Sequence, residues 1–234
     1  VGAGRHVLAD KPMVIDTAGF DALVKAFAAA QKHEVLLYDI MTERFEITTM
    51  LQKEFAAIAP VFGGLVRGTS EQPAVTKESV HYFSKLVAGL PLRRPPWFFD
   101  VAQQGEGLVD ITTHLVDLVQ WECFPGEVLD YRHDIRILAS RRWPTAMTPA
   151  EFTAVTGVVA YPDYLRKDVQ PDGNLHVYAN GAIDYTVKGV HAKVSVIWEF
   201  ATPPGCGDTH YSVMRGTRAN LVIRQGAAER FRPV

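Results

Sequence analysis

The strongest constraint in this sequence is the crowding of strand-forming segments into its second half. Val128 to Leu138, Leu175 to Ala179, Ile183 to Lys188, His191 to Phe200, Tyr211 to Arg215 and Ala219 to Arg224 all carry strand signals. Few helix-length segments separate them, so neighbours in sequence are expected to pair in space. The result is a largely antiparallel sheet with a few helices packed on it. Asn180-Gly181 reads as the tight turn of a hairpin between two of these strands. Thr148-Pro149-Ala150-Glu151 reads as the start of a short helix, with Thr148 as cap, Pro149 as first residue and Glu151 completing a capping box.

The first half has a different rhythm. Arg5 to Ala9 is a short strand ending at Asp10-Lys11-Pro12. Asp16 or Thr17 can cap a helix in which Phe20, Leu23, Val24 and Phe27 recur at helical spacing, and Val35 to Tyr38 is a buried strand. Strand, helix, strand is a piece of an α/β domain, whose parallel strands need neighbours. A second helix is expected from Thr42 to Ile58, a strand from Val61 to Val66, and an extended segment at Val80 to Phe83. Ala88 to Gln104 looks like a loop, and its Trp97-Phe98-Phe99-Asp100 run suggests docking on something.

Composition removes several function classes. The 234 residues carry a formal net charge of −2 with no basic run, which argues against a nucleic-acid partner. No apolar run reaches the roughly 18 residues that cross a bilayer, so no membrane partner is expected. Two cysteines, Cys123 and Cys206, are too few for a disulfide framework or a cysteine zinc site. The first residues do not resemble a signal peptide. Val1-Gly2-Ala3-Gly4 reads as a chain entered partway through, which leaves the compartment open between cytoplasm and periplasm, with the cytoplasm expected.

Chemistry concentrates on a helix expected from Gly107 to Trp121. Asp110, His114 and Asp117 lie four and three residues apart and so share one face, while Leu108, Ile111, Leu115 and Leu118 form the buried stripe. A histidine beside a carboxylate can be held in one tautomer and made a better proton acceptor, as oxidation of an alcohol requires. A polar stripe is also what a solvated helix face looks like, so spacing alone leaves both readings open. Asp110 and His114 are too few to specify a metal. His6, His33, His81, His133, His176, His191 and His210 have no partner at a telling spacing and are read as structural or surface residues.

The segment Gly105-Glu106-Gly107-Leu108-Val109-Asp110-Ile111-Thr112-Thr113-His114-Leu115-Val116-Asp117 resembles the helix motif of the glucose–fructose oxidoreductase / inositol dehydrogenase / rhizopine catabolism family. Gly4-Arg5-His6-Val7-Leu8-Ala9-Asp10-Lys11-Pro12 resembles that family's second signature, at the last strand of its dinucleotide domain. The resemblance implies an α+β fold: a large, predominantly antiparallel, open-faced sheet with helices on one face, preceded by a strand–helix–strand remnant of a Rossmann domain. Residues 1–38 would be that remnant and 39–234 the substrate-binding and oligomerisation domain. It further implies that Lys11 and Pro12 meet the nicotinamide end of NAD or NADP, with the Lys11–Pro12 bond often cis. Lys11, Asp110 and His114 would be catalytic, His114 as base or acid. Trp97, Arg44 and Asp117 would lie near a carbohydrate-like substrate, Asp117 chiefly as a structural residue, and copies would associate through the sheet.

Departures from the pattern matter as much. Asp10 stands where the family usually has Glu, Glu106 where many members have Gly, and Tyr38 to Arg44 differs from the usual polar segment. The Gly-x-Gly-x-x-Gly cofactor fingerprint is missing: Gly2-Ala3-Gly4-Arg5-His6-Val7 fails at its sixth position and has no preceding strand. The chain alone is therefore expected to bind NAD(P) weakly or not at all and to be inactive. Three functions compete: an NAD(P)-dependent sugar or polyol oxidoreductase, an NAD-dependent glycoside hydrolase on the same scaffold, and a non-enzymatic binding or assembly module.

Overall fold

A computed structural model describes residues 1–234. It opens with β1 (Val7–Ala9), α1 (Thr17–Lys32) and β2 (Leu37–Asp39), and the two strands run parallel with Val7 opposite Leu37. Asp16 starts α1 by accepting a hydrogen bond from Gly19 N, which satisfies one of the N–H groups that a helix start leaves open. The Lys11–Pro12 peptide is cis. Leu8, Leu36, Tyr38 and Val24 remain largely exposed on this unit.

The helix expected over residues 42–58 divides in two. A 3-10 turn, Thr42–Phe45, comes first, and α2 (Ile47–Ala56) follows, with Glu46 as its cap accepting from Thr49 N. The strand expected over 61–66 is wrong at its start, because α3 (Ala59–Phe62) takes those residues, with Pro60 in its first turn. β3 (Val75–Ser84) is much longer than the expected segment. Its first half hides from pattern reading because Lys77 and Ser79 occupy buried positions where apolar residues are the norm. The expected 88–104 loop instead holds β5 (Leu90–Pro91), which forms a small hairpin with β4 (Leu86–Val87) just before it, a 3-10 turn at Pro96–Phe99 and α4 (Val101–Gln104).

The remaining elements are α5 (Ile111–Cys123), β6 (Ile135–Met147), α6 (Pro149–Thr156), β7 (Leu175–Val187), β8 (Val190–Ala201), β9 (Thr209–Arg215) and β10 (Asn220–Gln225). Six strands form one sheet in the order β10-β9-β3-β8-β7-β6, and every neighbouring pair is antiparallel except β3 with β8. Alternation along β8 shows the two faces: Ala192, Val194, Val196 and Trp198 are buried, while Lys193, Ile197 and Glu199 are exposed. Leu115 and Val119 of α5 join the buried face in one core with Phe83, Phe99 and Phe152. The fold is thus the α+β, largely antiparallel, one-face-covered sheet that the sequence implies.

Two expectations about strands fail for physical reasons. Asn180-Gly181 is not a turn, since β7 runs straight through it. The Asn180 amide donates to Trp143 O at 3.0 Å and Thr145 Oγ1 at 2.8 Å, and its oxygen accepts from Trp198 N at 2.6 Å. It bridges β6 and β8 where the β6–β7 register shifts and where β7–β8 pairing stops at Gly181. β6 begins at Ile135 rather than Val128, because Asp130 and Asp134 close a turn through the backbone of Arg132 and Asp130. As an edge strand, β6 carries Arg136 and Arg141 outward, and this masks its strand character. The capping box is present: Thr148 and Glu151 cap α6, and Gly157 ends it in the left-handed conformation.

Candidate functional site

The site is built where the N-terminal unit meets the start of α5. Two glycines permit the approach. A Cβ on Gly107 would lie 2.0 Å from Ala179 O, and Gly107 N donates to Tyr178 O, so the turn before α5 lies directly on β7. Gly105, at φ 88°, leaves room for Val109 and for Ile15 from the segment after Lys11. Gly181 serves the same junction, because a Cβ there would meet the Leu108 side chain.

This junction brings Lys11 to Asp110. Lys11 Nζ donates to Asp110 Oδ1 at 2.7 Å, and the two side chains are only 16% and 8% exposed. The helix starts at Ile111, not at Gly107, which places Asp110 at the cap position. Its carboxylate makes no cap hydrogen bond, because it is committed to Lys11 instead.

His114 stands one turn further along α5 and is 9% exposed, with Nδ1 buried and without a hydrogen-bond partner. Burial, then the charge of Lys11, pushes its pKa below the ordinary histidine value, against the opposing pull of Glu43, Asp110 and Asp117. The imidazole is therefore neutral at pH 7 and able to accept a proton. Asp117 faces Arg44, whose Nε donates to Asp117 Oδ2 at 2.7 Å while Nη2 takes the other oxygen. That two-pronged pair raises the Arg44 pKa and occupies the guanidinium fork.

His114 lines a cleft of about 240 Å³ together with Glu46, Ser79, His81, Asp208 and His210. His81 and His210 are functional candidates that the spacing argument set aside. On β3, Ser79 and His81 share a face by two-residue alternation, and His210 pairs with Ser79 across β9. Ser79-x-His81 within an extended segment was the available signal. Asp208 comes from a loop far along the chain and left no local trace. Burial and the charge of Lys77 depress His210 to a pKa of about 4.

Trp97 is separate from this cluster. It stands half-exposed in the 3-10 turn and is not among the residues that line the cleft at His114. Its neighbours turn inward: Phe99 is buried, and Phe98 packs on Trp198 under the Arg94 guanidinium. The aromatic run docks on the protein's own core. No group of three or more His, Cys, Asp or Glu is arranged to hold a metal, and no helix is long and apolar enough to cross a membrane.

Comparison with known proteins gives a consistent picture. The family described as "Putative oxidoreductase C terminal domain" matches residues 51–234. A solved structure described as a "putative oxidoreductase" from Parabacteroides merdae ATCC 43184 is 56% identical, with a TM-score of 0.94, and the match covers 97% of this chain and 52% of that one. GenD2 from gentamicin A biosynthesis, solved in complex with NAD, shares the fold at 20% identity and TM-score 0.58, over 95% of this chain and 48% of its own. A "putative myo-inositol dehydrogenase" from Sinorhizobium meliloti 1021 does so at 15% identity and TM-score 0.52, over 94% and 50%. The chain spans about half the length of these proteins. No curated protein matches it.

Proposed function

The chain belongs to the family of oxidoreductase C-terminal domains, with a fold of the inositol dehydrogenase type, and from that premise we propose that it is the substrate-side half of an NAD(P)-dependent enzyme oxidising a secondary alcohol of a sugar or polyol. The observation that carries this reading is the gathering of Lys11, Asp110 and His114 from two distant segments into one corner, with His114 on a cleft. Bound NAD(P) would supply the hydride acceptor. The chain's own residues manage the hydroxyl. Neutral His114 accepts its proton, and the Lys11 ammonium hydrogen-bonds its oxygen as negative charge develops there. Asp110 holds that ammonium in place. The locked Arg44–Asp117 pair stiffens the same helix face.

In this reading Lys11 and Pro12 meet the nicotinamide end of such a cofactor. Gly2 and Gly4 lie in a turn closed by a hydrogen bond from Gly4 N to Val1 O, and strand β1 follows that turn, not a helix. The Gly2–Gly4 turn therefore offers no helix N-terminus to a pyrophosphate. In this reading residues 1–38 close the nucleotide-binding half, 39–234 bind substrate, and the uncovered sheet face joins copies of the protein. The 234 residues alone do not turn over.

The test compares NADH binding, by fluorescence titration, between this chain and the full-length protein, followed by NAD(P) reduction across a panel of sugars and polyols. Binding by the full-length protein only, with turnover lost in His114→Ala, is the expected result. Failure of the full-length protein to bind NADH overturns the reading. Release of an aglycone without net NADH moves the assignment to redox-assisted glycoside hydrolysis.

A further inference from the structure

The floor of the cleft has a chemical polarity that selects among alcohols. It is built from β3 and β9, where Ser79, His81 and Asp208 form a chain of hydrogen bonds. His81 Nδ1 lies 3.2 Å from Asp208 Oδ2, and His81 Nε2 lies 3.0 Å from Ser79 Oγ. Lys85 Nζ also donates to Asp208 Oδ2. A carboxylate can only accept, so the His81 proton sits on Nδ1. In the neutral ring Nε2 then accepts the Ser79 hydroxyl proton. With the ring in that form, Ser79 Oγ offers its lone pairs to a ligand.

The rest of the cleft repeats this character. Burial works against ionisation of Asp208, but hydrogen bonds from His81 and Lys85 hold its pKa below the usual carboxylate value, and its Oδ1 is buried without a partner. Burial likewise works against Glu46, and hydrogen bonds from Thr48 and Thr49 keep its pKa low. Glu43 adds a third carboxylate. No Lys or Arg is among the lining residues, and two lysines close to it are already paired, Lys11 with Asp110 and Lys85 with Asp208. One lining group, His114, is nine-tenths buried with Nδ1 unpartnered, so the cleft has an unmet hydrogen-bonding demand at its catalytic end. Its volume of about 240 Å³ is below the roughly 300–1,000 Å³ of drug-sized sites and suits a single ring.

We propose that this cleft is a hydroxyl-recognising subsite, with Glu46, Ser79 and Asp208 as acceptors, that admits a polyol or monosaccharide lacking phosphate and carboxylate groups. The inference rests on the oxidoreductase reading and narrows its substrate class. Each substrate O–H finds an acceptor. A phosphate or carboxylate brings further acceptors and further negative charge to a wall that already has both, and leaves buried oxygens unpaired.

The experiment uses the full-length protein and NAD(P) reduction. Hexoses, hexitols and inositols are each assayed beside their phosphate esters and sugar acids. The expected result is kcat/KM at least about 100-fold lower for the anionic member of each pair. Anionic members turned over within tenfold of their neutral partners, or preferred, overturn the inference while leaving the oxidoreductase reading intact. Reduction of NAD(P) by no compound in the panel overturns that reading, and this inference with it. Ser79→Ala gives a second readout. It is expected to raise KM about tenfold with kcat changed less than threefold, as loss of one acceptor implies. An unchanged KM in a folded Ser79→Ala protein removes Ser79 from the subsite.

Discussion

Lys11 and Asp110, 99 positions apart in the chain, meet at 2.7 Å with both side chains mostly shielded from solvent. The pair joins the N-terminal unit to the start of α5 and sets the ammonium one helical turn from His114. Lys11→Met in the full-length protein is expected to lower kcat by about 100-fold or more, the lower end of what a positioned proton-handling group contributes. It also leaves Asp110 buried without a counter-charge, which costs on the order of 3 kcal/mol of stability. Lys11→Met with Asp110→Asn is expected to recover much of that stability in urea denaturation and none of the activity. Recovery of activity in the double variant would show that Lys11 serves only to neutralise Asp110.

The depressed histidines set the direction of the pH dependence. Activity needs neutral His114, so kcat/KM is expected to rise with pH through an inflection below the ordinary histidine value and then to level off. Stability follows the same sense. Unfolded histidine titrates near 6.5 and folded His210 near 4, so across that window the unfolded chain binds more protons. The contribution is fully present above pH 6.5 and is lost as pH falls toward 4, up to about 3 kcal/mol. The difference between stability–pH curves of wild type and His210→Asn isolates it. Parallel curves would show that His210 titrates normally.

Glycine at 181 is a packing requirement. A Cβ there would come 2.4 Å from Leu108 Cδ2, in the turn that delivers Asp110. Gly181→Ala is expected to cost about 1–3 kcal/mol and to lower kcat, since the turn must move. Shortening the opposing side chain with Leu108→Val relieves the contact. The double variant should therefore be more stable than the sum of the two single changes predicts. Additive losses would place the strain elsewhere.

What the sequence discloses follows from the range of the interactions involved. The α6 capping box, the alternation of β8 and the grouping of Asp110, His114 and Asp117 on one helix each lie within a few residues, so local pattern suffices. Asn180-Gly181 satisfies a local turn rule, but two neighbouring strands, β6 and β8, claim the Asn180 amide and Leu108 fills the space beside Gly181, so tertiary packing overrides the turn. Lys77 and Ser79 broke the apolar pattern of β3 because their partners are Glu122, Gln52, Ser212 and His81, and of these only His81 is a near neighbour. The acceptor floor of the cleft was hidden for the same reason: Ser79 and His81 adjoin each other, but Asp208 is reached only by the fold.

The Lys77 cluster yields the sharpest stability test. Lys77 is fully buried, with Nζ 2.9 and 2.8 Å from the two oxygens of Glu122, 2.8 Å from Ser212 Oγ and 3.2 Å from Gln52 Oε1. Burial raises the Glu122 pKa, and attraction to Lys77 opposes that rise. Lys77→Met removes the attraction and leaves Glu122 to be buried alone, for an expected loss of about 3–5 kcal/mol. Lys77→Met with Glu122→Leu removes both charges. Ser212 then still donates to Gln52 at 2.7 Å, and Gln52 still donates to Leu221 O, so no other polar group is stranded. The double variant is expected to be within about 1 kcal/mol of wild type or more stable, with NAD(P)-dependent turnover retained, because neither residue lines the cleft. Equal losses in the single and double variants, read from urea midpoints, would show that the ion pair stabilises the fold beyond the cost of burying it.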